Sequence, residues 1–454
     1  MAVVGIVLAL LVAEAWGPLA AGSATGQPPG SLPAAAVSGA PGPSGTHAVG
    51  SSSGAGASSS PAPSSTAQPG SASPTPSVIP GPALVAAQLQ GTLDRIRTQL
   101  SIPGVSVAIL WNDGQSWVGA SGLRTIASAD PMTTGSAFAL ASISKTFTSA
   151  VVLQLVEEGK LALDQSVAPL LPQYKLDPRI TVRMLLDHTS GLPDFFLAPG
   201  IDAALRAKPN ATWTAMQAWA YVPKKHAVPG KSWYYSNTNY LLLGELVSAI
   251  TGHPLAQEVR TRLLDPLGLT TVYYQAVEAP KEAGVTAYAL LPAAGGGYRP
   301  TAVAAKSVVM PFRSVVTAAG GAGSLAGTAL DVARWMRAWA GGLVLDPAMQ
   351  AQMLADVART VKLHASIPYG LGIQRVTLAG YTAYGHSGRY IGIRNVVRYL
   401  PDLGITISVL TNQSAIDPTR VATTLLKVLL PKPTPSPSPA ASGAPSPALA
   451  PSPS

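Results

Sequence analysis

The 454-residue chain contains no cysteine. That excludes disulfides, thiolate metal sites, a cysteine nucleophile and a lipid-modified N-terminal cysteine. Charge is scarce too: Asp, Glu, Lys and Arg make up 11% of the residues, against roughly 25% in an average domain. The deficit is uneven. Residues 1–82 hold a single carboxylate, Glu14, and no lysine or arginine. The formal net charge of +9 therefore belongs to the rest of the chain, where basic residues are scattered and Lys224-Lys225 is the one basic doublet. Nucleic-acid recognition needs a clustered stripe, so no nucleic-acid partner is expected. His226, His253 and His364 lack the spacing of metal ligands, and no metal or cofactor is expected. Internal repeats are absent as well.

Glycine (44) and proline (42), by contrast, are abundant. Residues 22–82 consist almost entirely of Ala, Gly, Pro, Ser and Thr, a mix with too little apolar surface to offset its ordering entropy. This segment reads as a disordered linker, and residues 432–454 as a second tail of the same kind. Gly50-Ser51-Ser52-Ser53-Gly54 fits a nucleophile-elbow pattern, but without a strand and a helix around it the match is noise. Residues 1–21 begin with an apolar run, Val3 to Val12, followed by Ala13-Glu14-Ala15. They resemble an export signal, with an uncleaved membrane anchor as the alternative. An extracytoplasmic location is the expectation, with peptidoglycan as a possible neighbour.

The remaining span, residues 83–431, has the patterning of a folded body. It opens with an amphipathic helix, "LVAAQLQGTLDRIRTQL". Two strands, "GVSVAILW" and "QSWVGASG", then flank the hairpin signal Asn112-Asp113-Gly114. Near its end "GIRNVVRYL" and "GITISVLTN" flank Pro401-Asp402-Leu403-Gly404, before a last helix, "PTRVATTLLKVLL". Strands at both ends with helices between them predict an α+β fold: an antiparallel sheet flanked by helices, with a helical insertion. Gly321, Gly323 and Ala326 mimic a dinucleotide fingerprint but lack a strand feeding them. Thr328 and Asp331 read as a capping box for the helix "DVARWMRAW".

One stretch carries a chemical signal. In "AFALASISKTFTSAVVLQLVEEGKL", Ile143, Phe147, Val151 and Leu155 recur every four residues and Gly159 sits at the C-cap position, which predicts a buried helix. A lysine on such a helix, Lys145, needs polar partners, and Ser142 lies one turn before it. Two later motifs have the polarity to meet this pair. In "WYYSNTNYLLLGELV", Tyr235 and Asn237 are two apart. In "YGHSGRYIGI", His386, Ser387 and Gly388 precede the late hairpin.

Together these motifs resemble the serine β-lactamase-like hydrolases of the class C and D-Ala-D-Ala carboxypeptidase type. The likeness extends through "EEGKLALDQSVAPLLP", "ITVRMLLDHTSGLPDF", "LLDPLGL", "GSLAGTALDVARWM" and "YGLGI", in the family's order. It implies an antiparallel sheet flanked by helices, an all-helical subdomain, and an active site between them. It implies Ser142 as nucleophile, with Lys145 and Tyr235 as base and proton shuttle, in an order the sequence leaves open. The backbone N–H groups of Ser142 and Arg389 would form the oxyanion hole. Asn237, His386, Ser387, Gly388 and Arg389 would contact substrate. His188 reads as a structural histidine.

The third motif departs from the K-T-G of class C enzymes and resembles carboxypeptidases, D-aminopeptidases and esterases. His386 is then expected to anchor a substrate carboxylate and to titrate near pH about 6.5. Arg389 and Arg375 are further candidates for that anchor. The expected activity is hydrolysis of a D-Ala-D-Ala-like peptide through an acyl-enzyme by a monomer. The alternatives are an esterase, a weak β-lactamase or a non-hydrolytic penicillin-binding sensor.

Overall fold

A computed structural model of the chain describes residues 79–292, 298–303 and 311–430. The expected signal or anchor, the linker up to residue 78 and the C-terminal tail lie outside the described residues. Among the described residues no helix is long and apolar enough to cross a membrane.

Helix α1 (Pro82–Gln99) starts on a proline, whose fixed φ suits a first helical turn, and buries Val85, Leu89 and Leu93. Strands β1 (Gly104–Trp111) and β2 (Ser116–Thr125) form the first hairpin, with Gly114 at φ +90° in its turn. A short β3 (Asp130–Pro131) follows. The middle of the chain includes the helices α2 (Ser144–Glu157), α3 (Asn237–Thr251) and α4 (Ala329–Ala340), followed by a further helix at Pro347–Lys362. The late strands are β4 (Gln374–Leu378), β5 (Tyr381–Tyr390), β6 (Ile393–Leu400) and β7 (Ile405–Thr411), before helix α5 (Thr419–Leu429).

These strands form one seven-stranded sheet in the order β3-β2-β1-β7-β6-β5-β4, antiparallel throughout. The two ends of the body meet at its centre, where Val105 pairs with Thr411 and Trp111 with Ile405. Alternation along β1 sends Val105, Val107 and Ile109 to one face, under α1 and α5. Ala108 and Leu110 face the other way and join the larger core under α2, α3 and α4. Beyond that core, short helices at Ile201–Ala207 and Ala215–Trp219 close over a satellite cluster of Phe195, Ile201, Leu205, Ala218 and Leu241. This matches the predicted architecture of sheet, flanking helices and helical insertion.

Helix α2 begins at Ser144, led in by a single 3₁₀ turn at Ala141–Ile143, and Phe138–Ala139 ahead of it is a strand of a small three-stranded sheet. One local expectation fails: the capping box at α4 does not form. The Thr328 hydroxyl contacts the hydroxyl of Thr271, and Asp331 accepts from both the backbone N–H and the hydroxyl of Thr271. The pair is spent on tertiary contacts. Gly321 and Gly323 serve packing: a methyl at Gly321 would press on the Tyr240 carbonyl, and one at Gly323 would strike the Tyr390 hydroxyl.

Candidate active site

Ser142 lies in the 3₁₀ turn ahead of α2, and its predecessor Ala141 holds φ +49°. A non-glycine residue in the left-handed region costs on the order of 1–3 kcal/mol and persists only where its surroundings over-determine it. Here they do. The Leu140 N–H donates to Leu325 O, and Asn395 of β6 donates its amide N–H to Ala139 O. Strand β5 presses on the turn so closely that a methyl at Gly388 would collide with Leu140 O. Gly388 is glycine for that reason.

Lys145 is fully buried. Its Nζ lies 3.2 Å from Ser142 Oγ, 2.7 Å from Asn237 Oδ1 and 3.0 Å from Ala322 O. Burial pushes its pKa down to about 7, against the opposing pull of the Asp194 carboxylate. Tyr235 is hydrogen-bonded to the Ser142 side chain, and burial raises its phenol well above the usual value. The Lys145 ammonium nitrogen stands 5.0 Å from the centroid of the Tyr235 ring. Ser142, Lys145, Tyr235 and Asn237 therefore form one cluster, drawn from two segments about ninety residues apart in the sequence.

His386 does not behave as the sequence predicts. Its ring is 1% exposed, with Nδ1 2.6 Å from Ser387 O and Nε2 2.8 Å from the Tyr369 hydroxyl. A carbonyl only accepts, so Nδ1 carries the proton and Nε2 accepts from Tyr369. Burial first, and the neighbouring Lys145 second, hold its pKa well below 6.5. The expected titration near neutral pH is thus corrected: this imidazole is neutral there. His188, expected to be a structural histidine, takes φ +64°, accepts from the Ser236 N–H at 3.2 Å through Nδ1, and packs at a tilt against Tyr235 with ring centroids 4.3 Å apart, while its Nε2 is buried without a partner.

Three side chains join the cluster that the motifs did not single out. Asp194 accepts from Asn237 Nδ2 at 2.7 Å. Tyr369 holds His386. Arg398, 5% exposed, crosses behind β5 opposite Gly385, and its Nη2 donates to Gln374 Oε1 at 2.9 Å. The same oxygen accepts from Ser387 Oγ at 3.5 Å, while Gln374 Nε2 is buried without a partner. Burial lowers the Arg398 pKa to about 10. Among the described residues no carboxylate forms an ion pair with it. The other two candidate anchors differ: Arg375 is exposed and Arg389 half-buried. Asp194 and Tyr369 lie inside "SGLPDF" and "YGLGI", segments already noted for their resemblance, so a signal was present in the chain.

Comparison with known proteins bears on this arrangement. A family model described as beta-lactamase matches residues 88–430. Penicillin-binding protein 4 of Amycolatopsis lactamdurans is 30% identical over 343 residues, covering 72% of this chain and 85% of that protein. Esterase EstB of Burkholderia gladioli is 32% identical over 202 residues, 41% of this chain and 51% of the esterase. Among solved structures, a D-stereospecific amidohydrolase from Streptomyces sp. superposes with a TM-score of 0.62 at 27% identity, covering 76% of this chain and 98% of that one.

Proposed function

Because the chain belongs to the beta-lactamase family of serine hydrolases, we propose that Ser142 attacks small ester or amide acyl donors of the D-amino-acid type and carries the acyl group as an ester. The observation that supports this most directly is the Ser142–Lys145–Tyr235 cluster. A serine hydroxyl needs an adjacent base. With Lys145 down to about 7 and Tyr235 held well above the usual phenol value, the amine is the first base and the phenol the acid. The Ser142 proton passes to Lys145 as Oγ bonds to the carbonyl carbon. The bond to the leaving group then breaks, and Tyr235 protonates that group and regains a proton from Lys145. Water enters where the leaving group departed and releases the acyl group by the reverse proton path. The backbone N–H groups of Ser142 and Arg389 are the proposed oxyanion donors.

Substrate choice turns on Arg398. The Arg398 guanidinium donates to Val397 O and Gln374 Oε1 but has no carboxylate beside it among the described residues, and burying such a charge costs several kcal/mol that a carboxylate recovers in part. With Ser387 Oγ and the unpartnered Gln374 Nε2 nearby, it is the proposed carboxylate anchor, in place of His386. The similar proteins include a penicillin-binding protein, an esterase and an amidohydrolase, which supports a range of acyl donors wider than D-Ala-D-Ala peptides. An extracytoplasmic place of work fits the same reading.

The test is intact mass after incubation with a penicillin, a p-nitrophenyl ester and a peptide ending in D-Ala-D-Ala. Wild type should gain one acyl mass with at least the penicillin and turn over the ester. Ser142→Ala should do neither. Persistent turnover in Ser142→Ala refutes the reading.

A further inference from the structure

Asp194 is a buried carboxylate to which the steps above assign nothing. Both of its oxygens are engaged: Oδ1 accepts from the Phe196 N–H at 3.0 Å and Oδ2 from Asn237 Nδ2 at 2.7 Å. The two donors face different oxygens, so an amide side chain in this place would turn its own NH₂ donor against one of them. The second contact fixes which way the Asn237 amide points, with Oδ1 toward Lys145.

That orientation decides where the lysine lone pair goes. A neutral amine has two N–H bonds and one lone pair. Asn237 Oδ1 and Ala322 O accept but cannot donate, so they take the two N–H bonds. The lone pair is left for the third neighbour, the Ser142 hydroxyl at 3.2 Å. With Asn237 reversed, its NH₂ would face Lys145 and compete with the serine for the lone pair. We propose that Asp194 is a positioning residue: by fixing the Asn237 amide it aims the Lys145 lone pair at Ser142. This rests on the acylation reading above and adds a residue to it.

Asp194 is also the carboxylate facing Lys145. The other titratable groups around the amine are Tyr235 and Tyr240, with ring centroids 5.0 and 5.4 Å away, and the neutral imidazoles of His188 and His386. Tyr234 faces Asp194 from the rim. The loop carrying Asp194 has a separate clamp. Thr238 donates to Pro193 O at 2.6 Å and accepts from the Phe195 N–H at 3.0 Å, so the loop keeps its place when Asp194 is changed.

The experiment uses the full chain and p-nitrophenyl acetate from pH 5 to 10, with rates normalised to titrated Ser142. Asp194→Asn should lower kcat at least about tenfold with KM within about twofold, the pattern of a lost proton-transfer geometry. Its acid limb should move to lower pH, since removing the negative charge makes Lys145 easier to deprotonate. Asn237→Ala, which leaves the Asp194 cap on Phe196 intact, should lose a similar factor. The double variant should be no worse than either single one, because Asp194 acts through Asn237. Multiplying losses, or an Asp194→Asn profile superimposable on wild type, overturns the proposal. Should Asp194→Asn not fold, an Asn237→Ala rate equal to wild type overturns it alone. Ser142→Ala separates the two levels: if it stays active the acylation reading fails, and if it is dead only the role of Asp194 is in question.

Discussion

At the scale of single residues, the site works through side chains whose ordinary charge state has been removed by burial. Burial pushes the Lys145 pKa from 10.5 down to about 7, and only the Asp194 carboxylate opposes that shift. His386 is neutral for the same reason, and its two nitrogens are committed to Ser387 O and the Tyr369 hydroxyl. The consequence for pH follows directly. A protonated Lys145 cannot accept the serine proton, so kcat/KM for an uncharged aryl ester should rise with pH through about 7. His386→Gln should leave that limb where it is. A limb that disappears in His386→Gln would assign the titration to the histidine instead.

Among the elements, strand β5 does most to define the cleft. Strand β4 accompanies it only to the pair Gln374 and Gly385, after which residues 386–390 have β6 on one side and the Ser142 turn on the other. Antiparallel register sets Arg398 of β6 opposite Gly385, where a Cβ would collide with the Val397 carbonyl, and the guanidinium reaches Gln374 of β4. Arg398→Ala should raise KM for a peptide ending in a free carboxylate by roughly ten- to a hundredfold, the worth of a charge-assisted pair, and leave a neutral ester within about twofold. Steady-state kinetics on the two substrates check this. Equal effects on both would show a structural arginine.

For the whole molecule, the ends of the body meet: β1 pairs with β7, and α1 and α5 cover one face of the sheet together. Two residues on the linker side of the boundary expected at residue 82 touch the body. The Trp111 indole N–H donates to Pro80 O at 3.0 Å, and Ile79 packs on the cluster under α1 and α5. A chain running from Ile79 to Leu430 should therefore melt with the full chain and keep its activity. One starting at Ala83 should lose about 1 kcal/mol, the net worth of one such hydrogen bond, together with the Ile79 contact. Thermal melts of the two shortened chains decide it, and equal melting temperatures would leave Ile79 and Pro80 without a role.

Much of this was legible in the order of residues alone. Periodicity located α2 with its buried Phe147, Val151 and Leu155, and Ile143 in the turn leading into it, and turn chemistry located both hairpins, because these depend on neighbours a few residues apart. Motif spacing also picked out Ser142, Lys145, Tyr235 and Asn237, the residues the fold brings together. Tertiary structure alone decided what each group's surroundings are. Nothing local shows that His386 is buried against Tyr369, that Arg398 reaches past Gly385, or that Asp194 lies behind Asn237. Charge state and hydrogen-bond direction are set by solvent exclusion and by partners from distant segments. A sequence lists the groups; only the packed fold fixes which of them lose water and which way their protons point.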